Sequence, residues 1–334
     1  MTKVDVGGMI SSPDRRRLRV SPALAWFAVA PFVLWTAGRL TGVDRRPLIV
    51  ELMTVTPYVA AASLGAVLIA LASRSRAAIA VSAATSTLLA TMVLPRAFAT
   101  APTATGATLK ILTTNMYFGG ADARTIVDLV RRLKPDILST QELTPAAVEA
   151  LDAAGLEESL PYSHNQAAFG AYGSGLWSRY PLTPVRDFAL PESRNMPRAR
   201  VAVPGAPPVE IVDVHTVSPV NGDVYEWLAD MESLPAPSSD VIRILAGDFN
   251  ASLDHSPLRA VIAGGYADAG DATGTGLNTT WPADWRIPPV ITIDHVLYDE
   301  RASAVAADVH TVPGTDHRAL FAELRLPKEI GRLS

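Results

Sequence analysis

The 334-residue chain contains no cysteine, so it forms no disulfide, presents no thiol nucleophile and offers no paired-Cys zinc site. Charged residues are scarce, 19% against 49% hydrophobic, a balance that excludes a disordered or collagen-like chain. Also missing are a Gly-x-Ser-x-Gly elbow, a His-x3-His pair, an internal repeat and, beyond residue 134, any run of Lys or Arg. The first two absences remove a serine nucleophile of that type and disfavour zinc. The last argues against tight non-specific binding of long nucleic acid, which rests on cationic side chains neutralising phosphates.

What is present divides near residue 100. Residues 1–100 carry 11 Lys+Arg and 4 Asp+Glu, a net +7, whereas residues 101–334 carry 18 and 29, a net −11. The basic part holds three uncharged stretches, of 19 residues between Arg19 and Arg39, 22 between Glu51 and Arg74, and 19 between Arg76 and Arg96. Crossing a bilayer core takes roughly 20 apolar residues, so the three are read as membrane helices. As a buried hairpin of a soluble domain they would have almost no polar helix face. A cleaved signal peptide accounts for one run at most, and the first lies too deep in the chain for that.

Arginine sets the orientation. Arg15, Arg16, Arg17 and Arg19 in the tail, with Arg74 and Arg76 in the second short loop, belong on the cytoplasmic side, which puts the C-terminal part outside. Against this, the first loop, also expected outside, holds Arg39, Arg45 and Arg46 with Asp44 alone. Residues 97–107 are small and uncharged and read as a linker. Ala97-Phe98-Ala99 fits the small-x-small pattern of signal-peptidase sites, a match that frequent alanine also produces by chance. The expected organisation is a basic tail over 1–20, cytoplasmic, three membrane helices over 21–97, a linker over 98–108 and a globular domain over 109–327.

In the acidic part, strands are expected at Leu109–Asn115, Ile137–Glu142, Gly175–Ser178, Val209–Thr216, Val241–Ala246, Ile293–Tyr298 and Ala319–Leu326. Helices are expected at Ala123–Leu133, where Ile126, Leu129, Val130 and Leu133 share a face, and at Ala146–Ala153, Val224–Glu232 and Ser256–Gly264. Strand–helix alternation with strands apolar on both sides indicates a layered α/β domain.

Six polar groups stand at the ends of these strands: Asn115, Gln141-Glu142, His215, Asp248-Phe249-Asn250, Asp294-His295 and Asp316-His317. Singly, Asn115 reads as a turn residue, Glu142 as a surface carboxylate, His215 as a core histidine and Asp294 as a structural acid. Together they form a set, because strand ends on a rigid sheet are where catalytic groups collect. Separate carboxylates suit Mg²⁺ or Mn²⁺, hard ions that prefer oxygen ligands. Such an ion, a carboxylate that deprotonates water, and amide or imidazole donors are what phosphodiester hydrolysis requires.

In this order the motifs resemble those of the endonuclease/exonuclease/phosphatase superfamily. They are Asn115, Gln141-Glu142, Ser178-Arg179-Tyr180-Pro181, His215, Gly247-Asp248-Phe249-Asn250, Ile293-Asp294-His295 and Asp316-His317. The resemblance covers Leu109 to Leu326 and implies a deoxyribonuclease-I-like fold, a four-layered α/β sandwich of two mixed sheets flanked by helices. The membrane segment resembles that of bacterial members with three N-terminal helices. By the same resemblance Glu142 holds the ion with help from Asn115 and Asp316, and Asp248 orients or deprotonates water. Asn250 donates to the phosphate, and His317, oriented by Asp294, stabilises the transition state or moves a proton. His215 corresponds to a phosphate-contacting or proton-transferring histidine, although the Asn-Thr that often precedes it is Asp213-Val214 here. His295 is read as a neighbour of the site.

The substrate stays open among nucleic acid, nucleotide and phospholipid. The leading reading is an extracytoplasmic nuclease or phosphodiesterase. A phospholipase-C-like hydrolase of lipid head groups is the alternative, and a silent binding domain the third. Arg194, Arg198 and Arg200 are either a solvated loop or a phosphate clamp. Trp281, Trp285 and Ile287 either line the rim or pack in the core. No protein partner is expected.

Overall fold

A computed structural model describes residues 20–185, 195–220, 223–283 and 288–328. Arg15, Arg16, Arg17, Arg19, Arg194, Trp285 and Ile287 lie outside them. Three long apolar helices come first: α1 (Pro22–Thr41), α3 (Thr56–Ser73) and α4 (Arg76–Val93), with the short α2 (Ile49–Met53) between the first two. Each of the three is long and apolar enough to cross a membrane. They pack on small residues, Ala25 and Val29 of α1, Ser63, Ala66 and Ala70 of α3, and Ala78, Ser82 and Ser86 of α4. Phe27, Leu34, Leu64, Leu68 and Leu71 face outward. This inverts a soluble bundle and is how helices associate where lipid covers the large side chains.

The rest of the described chain forms two six-stranded sheets. The strands of the first are β1 (Thr108–Asn115), β2 (Ile137–Gln141), β3 (Tyr162–Gln166), β4 (Ser174–Ser178), β11 (Ser303–Thr311) and β12 (Arg318–Arg325), in the order β11-β12-β1-β2-β4-β3. The second contains β5 (Leu182–Pro184), β6 (Arg198–Val201), β7 (Val209–His215), β8 (Ile242–Asp248), β9 (Tyr266–Asp268) and β10 (Asp294–Asp299), in the order β5-β6-β7-β8-β10-β9. Each is mixed, with one parallel pair near its centre: β1 with β2, and β7 with β8. A parallel pair needs a crossover, supplied by α5 (Ala123–Leu133) in one sheet and α7 (Val224–Ser233) in the other. The remaining helices are α6 (Pro145–Ala153), α8 (Ser256–Ala263) and the single turn α9 (Ala269–Ala272).

Local sequence explains the crossover α5. Asp122 caps it by accepting from Thr125 N at 2.7 Å, Ile126, Val127, Leu129 and Val130 are buried, and Lys134 closes it in a left-handed conformation before Pro135. Alternate residues of β1 then separate two cores. Leu109 and Ile111 meet Ile211, Ile244 and Val296 between the sheets, whereas Leu112 packs with Ile126 and Leu129 beneath the helices. A third core seats Trp227 of α7 and Leu258 of α8 on the outer face of the second sheet. The result is four layers, helices, sheet, sheet, helices, the deoxyribonuclease-I-like arrangement.

The seven expected strands and four expected helices of this part are present, shifted by a residue or two. Four of the five further strands, β3, β5, β9 and β11, are the outer edges of the two sheets. Tyr-Ser-His-Asn-Gln in β3 and the alanine-rich β11 carry no apolar alternation, because an edge strand is half solvated.

The helical bundle is tied to the sandwich. Asp254 accepts from Arg39 Nε at 2.6 Å and from both terminal nitrogens of Arg96 at 2.7 and 2.8 Å, with all three side chains buried. Asp44 accepts from Ser256 Oγ at 2.7 Å, and Tyr58 Oη donates to Val290 O at 2.8 Å. Residues 98–108, read as having little to pack, are also held: Thr100 N donates to Ala272 O and Gly106 N to Leu326 O. A Cβ on Gly106 would lie 2.5 Å from Pro327 O, so the strap runs against the sandwich at a distance only glycine allows.

Candidate active site

The ends of the two parallel pairs meet at one rim. In register, Asn115 lies beside Gln141 at the end of the first pair, and His215 beside Asp248 at the end of the second. The antiparallel β10 begins at Asp294 opposite Asp248, and His317 immediately precedes β12. The close approach of β7 and β8 explains Gly247: a Cβ there would lie 1.9 Å from Val214 O.

Glu142 has left the strand with a φ of 53°, a conformation uncommon outside glycine. The turn directs its carboxylate to Phe118 N–H at 2.8 Å and Asn115 Nδ2 at 3.2 Å. Asn115 Nδ2 also donates to Asp248 Oδ2 at 3.1 Å, so one amide bridges carboxylates of both sheets. Asn250, with a φ of 47°, donates its backbone N–H to Asp248 Oδ1 at 2.8 Å and one side-chain hydrogen to Thr216 O at 2.9 Å. The second amide hydrogen of Asn250 stays available to the cavity that this residue lines.

His317 Nδ1 donates to Asp294 Oδ2 at 2.9 Å, which turns Nε2 toward Asp248 Oδ2 at 3.7 Å and Asp316 Oδ1 at 3.9 Å. His215 Nε2 stands 3.8 Å from Glu142 Oε1 and 4.0 Å from Asp248 Oδ2. The structure therefore brings together all eight residues singled out in the sequence: Asn115, Glu142, His215, Asp248, Asn250, Asp294, Asp316 and His317. Seven of them line or adjoin a cavity of about 490 Å³, and Asp294 stands behind His317.

Electrostatics at the two sides differ. Burial pushes the Asp248 carboxyl up to about 7, opposed by the charge of His317 and assisted by that of Asp294. Burial lowers His317, but Asp294 and Asp248 outweigh it and hold the imidazole up at about 10. A proton thus sits within a nest of carboxylates. Asp248, Asp294 and His317 bring ligand-type atoms within 4.8 Å of one another. Glu142, Asn115 and Asp316 are the oxygen-rich alternative for a hard ion. Asp316 Oδ1 is buried without a hydrogen-bond partner, an acceptor that a cation would satisfy, so the residues fit a divalent metal.

The structure also gives partners to several residues that the sequence reading named without one. Trp281 Nε1 donates to Asp316 Oδ2 at 3.0 Å, so this aromatic is a rim residue that orients a site carboxylate. Gln141 turns inward and donates to Asp213 Oδ1 at 2.7 Å, and Gly175 N donates to Asp213 Oδ2 at 3.0 Å. Burial pushes Asp213 well above the usual carboxylate range, and the pair locks β2 to β7 across the inter-sheet core. An Asp before Val214 has a structural task there. His295 shares its ring nitrogens between Asp268 and Ala251 O, both at 2.8 Å, and so is the neighbour it was read as. Arg198 pairs with Glu210 at 2.7 Å and Arg179 lies 3.7 Å from Asp136; no Lys or Arg is among the described residues lining the cavity. Arg198 is thus held by Glu210 and does not line the cavity, while Arg194 lies outside the described residues.

The sequence pattern of the Endonuclease/Exonuclease/phosphatase family matches residues 112–317. No curated protein matches the chain. Among solved structures, an endonuclease/exonuclease/phosphatase from Beutenbergia cavernae DSM 12333 is 19% identical, with 66% of this chain and 72% of that one covered and a TM-score of 0.50. D. rerio TDP2 complexed with single strand DNA product is 16% identical, with 65% and 99% covered and a TM-score of 0.51. An AP endonuclease from Archaeoglobus fulgidus is 15% identical, with 64% and 98% covered and a TM-score of 0.52. These likenesses concern the fold.

Proposed function

Since the chain belongs to the endonuclease/exonuclease/phosphatase family, we propose that it is a membrane-anchored, Mg²⁺- or Mn²⁺-dependent phosphodiesterase whose catalytic domain, 109–327, lies outside the cell membrane. The observation that carries this reading is the convergence of Asn115, Glu142, His215, Asp248, Asn250 and His317 from two sheets on one cavity.

Glu142, with Asn115 and Asp316, would hold the ion, which when bound offsets charge on the phosphate oxygens and acidifies water. Asp248 takes the proton of the attacking water; a carboxyl poised near neutrality is suited to that work. Asn250 gives its free amide hydrogen to a phosphate oxygen, and His215 offers Nε2 to another. His317, kept charged and oriented by Asp294, stabilises the developing negative charge and supplies a proton to the leaving oxygen. The Asp294 bond occupies Nδ1, so Nε2 is the atom that acts.

Outside placement of the domain is supported by the ion pairs at Asp254. Residues 42–55 touch the sandwich and therefore share its side, and two of the cations at that end of the bundle, Arg39 and Arg96, are neutralised by Asp254. In the folded protein Arg39 is thereby accommodated on the sandwich side, as the orientation implied by the tail and the Arg74–Arg76 turn requires.

The test is hydrolysis of bis(p-nitrophenyl) phosphate by the full chain in detergent, with Mg²⁺, Mn²⁺ or chelator. Activity that survives chelation, or survives in Asp248→Asn, sinks the mechanism. Protease added to intact cells is expected to digest the C-terminal domain; protection until the cells are opened reverses the orientation.

A further inference from the structure

The catalytic layers do not build the cavity alone. Val50 and Glu51 of α2, and Thr54 just after it, form part of its wall. The contact is fixed, because His255 Nε2 bonds Val50 O at 2.7 Å and Val50 is wholly buried in the core beneath α7 and α8. His255 Nδ1 accepts from Ser252 N at 2.8 Å, so Nε2 carries the hydrogen given to Val50. A stretch lying between two membrane helices is thus a structural part of the active site.

Depth follows from helix geometry. The 18 residues of α3 rise about 27 Å, close to the roughly 30 Å hydrocarbon thickness, so Thr56 lies at the boundary of the core. Thr54 in the cavity wall is two residues away, at head-group depth. A second cavity, of about 240 Å³, shares Thr54 and Ile291 with the first and extends to Pro57 and Tyr58 in the first turn of α3. The two cavities are therefore neighbours with Thr54 and Ile291 in both walls, and the second reaches the first turn of α3.

The walls suit an amphiphile. Tyr117, Phe118 and Val220 line the cavity and are exposed, at 40%, 54% and 41%. On the connecting stretch, Leu48 and Leu52 are exposed beside Arg45 and Arg46, a composition found where protein meets head groups. A polynucleotide would need cations along its path, but no Lys or Arg is among the described residues lining the cavity and α2 contributes Glu51 instead. A lipid presents one phosphate, which the site can receive without a basic groove.

We propose that α2 and the first turn of α3 make the active-site mouth an entrance from the membrane interface, and that the substrate is a phosphodiester carried by a lipid of the adjoining leaflet. This rests on the phosphodiesterase reading above. Water adds to phosphorus, one P–O ester bond breaks, and the water's proton leaves on the alcohol; a phosphomonoester remains.

The experiment reconstitutes the full chain into vesicles of phosphatidylcholine and phosphatidylglycerol with Mg²⁺ or Mn²⁺. It measures lipid head-group cleavage, bis(p-nitrophenyl) phosphate hydrolysis and cleavage of a single-stranded oligonucleotide. The wild type is expected to cleave vesicle lipid. Thr54→Trp, which sets a bulky ring in the wall shared by the two cavities, is expected to lower the ratio of lipid to soluble-diester hydrolysis at least tenfold. Val220→Arg, at an exposed position where folding is not at stake, is expected to lower the same ratio. Cleavage of soluble diester or oligonucleotide without lipid cleavage overturns the proposal, as does an equal loss on both substrates in both variants. Inactivity on every substrate overturns the phosphodiesterase reading itself.

Discussion

The two sheets end in the same geometry and in opposite environments. Each offers a parallel pair with an acid at the end of its second strand, Glu142 just beyond β2 in the first sheet and Asp248 as the last residue of β8 in the second. Neutral groups donate to Glu142, the Phe118 N–H and the Asn115 amide. Asp248 is buried among charges, with His317 and Asp294 beside it. On the proposed reading, similar strands carrying similar acids acquire different work from their neighbours: one end would receive an external cation, the other would hold and release a proton.

The sharpest way to break that contrast is to neutralise each acid in turn. Asp248→Asn is expected to lower turnover by about a hundredfold to ten-thousandfold, with no recovery at high metal concentration. Glu142→Gln is expected to regain part of its lost rate as Mg²⁺ or Mn²⁺ is raised. Equal losses with identical metal dependence would show that the two ends are not specialised. Next come the partners. Because His317 and Asp294 act as a unit, His317→Ala and the His317→Ala/Asp294→Asn double variant are expected to differ by less than threefold, far from the product of the single losses. Multiplicative losses in kinetic assays would separate the two residues.

A smaller effect is expected at Trp281. Trp281→Phe removes the indole N–H that holds Asp316 while keeping the ring, and a lost outer-shell bond of this kind weakens metal affinity about tenfold or more. Titration calorimetry of metal binding checks it; unchanged affinity removes Asp316 from the ion's surroundings.

How much of this could be read from the sequence depended on what each residue needs from afar. Inner strands such as Ile137–Gln141 and Ile242–Asp248 are buried on both faces, so composition alone marks them. Edge strands β3 and β11 lack that signature. The eight site residues were legible because each stands at or beside one end of an apolar strand in a familiar order. Trp281 beside Asp316, Gln141 beside Asp213 and Val50 beside His255 were not, since the partners lie 35, 72 and 205 positions apart and only the folded sheets bring them together.

The sheets also differ away from the site, where the smallest effect is expected. On β7 the buried Glu210 meets Arg198 and Arg243; burial raises its carboxyl, but the two guanidinium groups more than offset this and leave it below the usual range. A depressed folded value means that its stabilisation is present above the unfolded carboxylate pKa of about 4 and is lost as pH falls through the lower folded value. Melting of the full chain in detergent is expected to shift less between pH 6 and pH 3 in Glu210→Gln than in the wild type. On the first sheet the partly exposed Lys110–Glu323 pair, at 3.7 Å, is worth less than about 1 kcal/mol, and Glu323→Gln is expected to leave the melting temperature within error.

The ion triad at Asp254 orders events during synthesis. Arg39 and Arg96 leave the ribosome 215 and 158 positions before the one carboxylate that pairs with both, and each sits at the end of a helix bound for the bilayer. Until Asp254 arrives, two guanidinium groups at the membrane boundary lack their buried partner. The ion pairs that fix the helices to the sandwich therefore cannot close until the chain just beyond β8 has been made. A nick at Ala97-Phe98-Ala99 in the finished protein severs the chain and leaves Arg96 still clasped by Asp254. On the membrane-anchored reading, proteolysis there is expected not to shed the cut domain by itself, because the Asp254 ion pairs still hold it to the helices where the backbone no longer does.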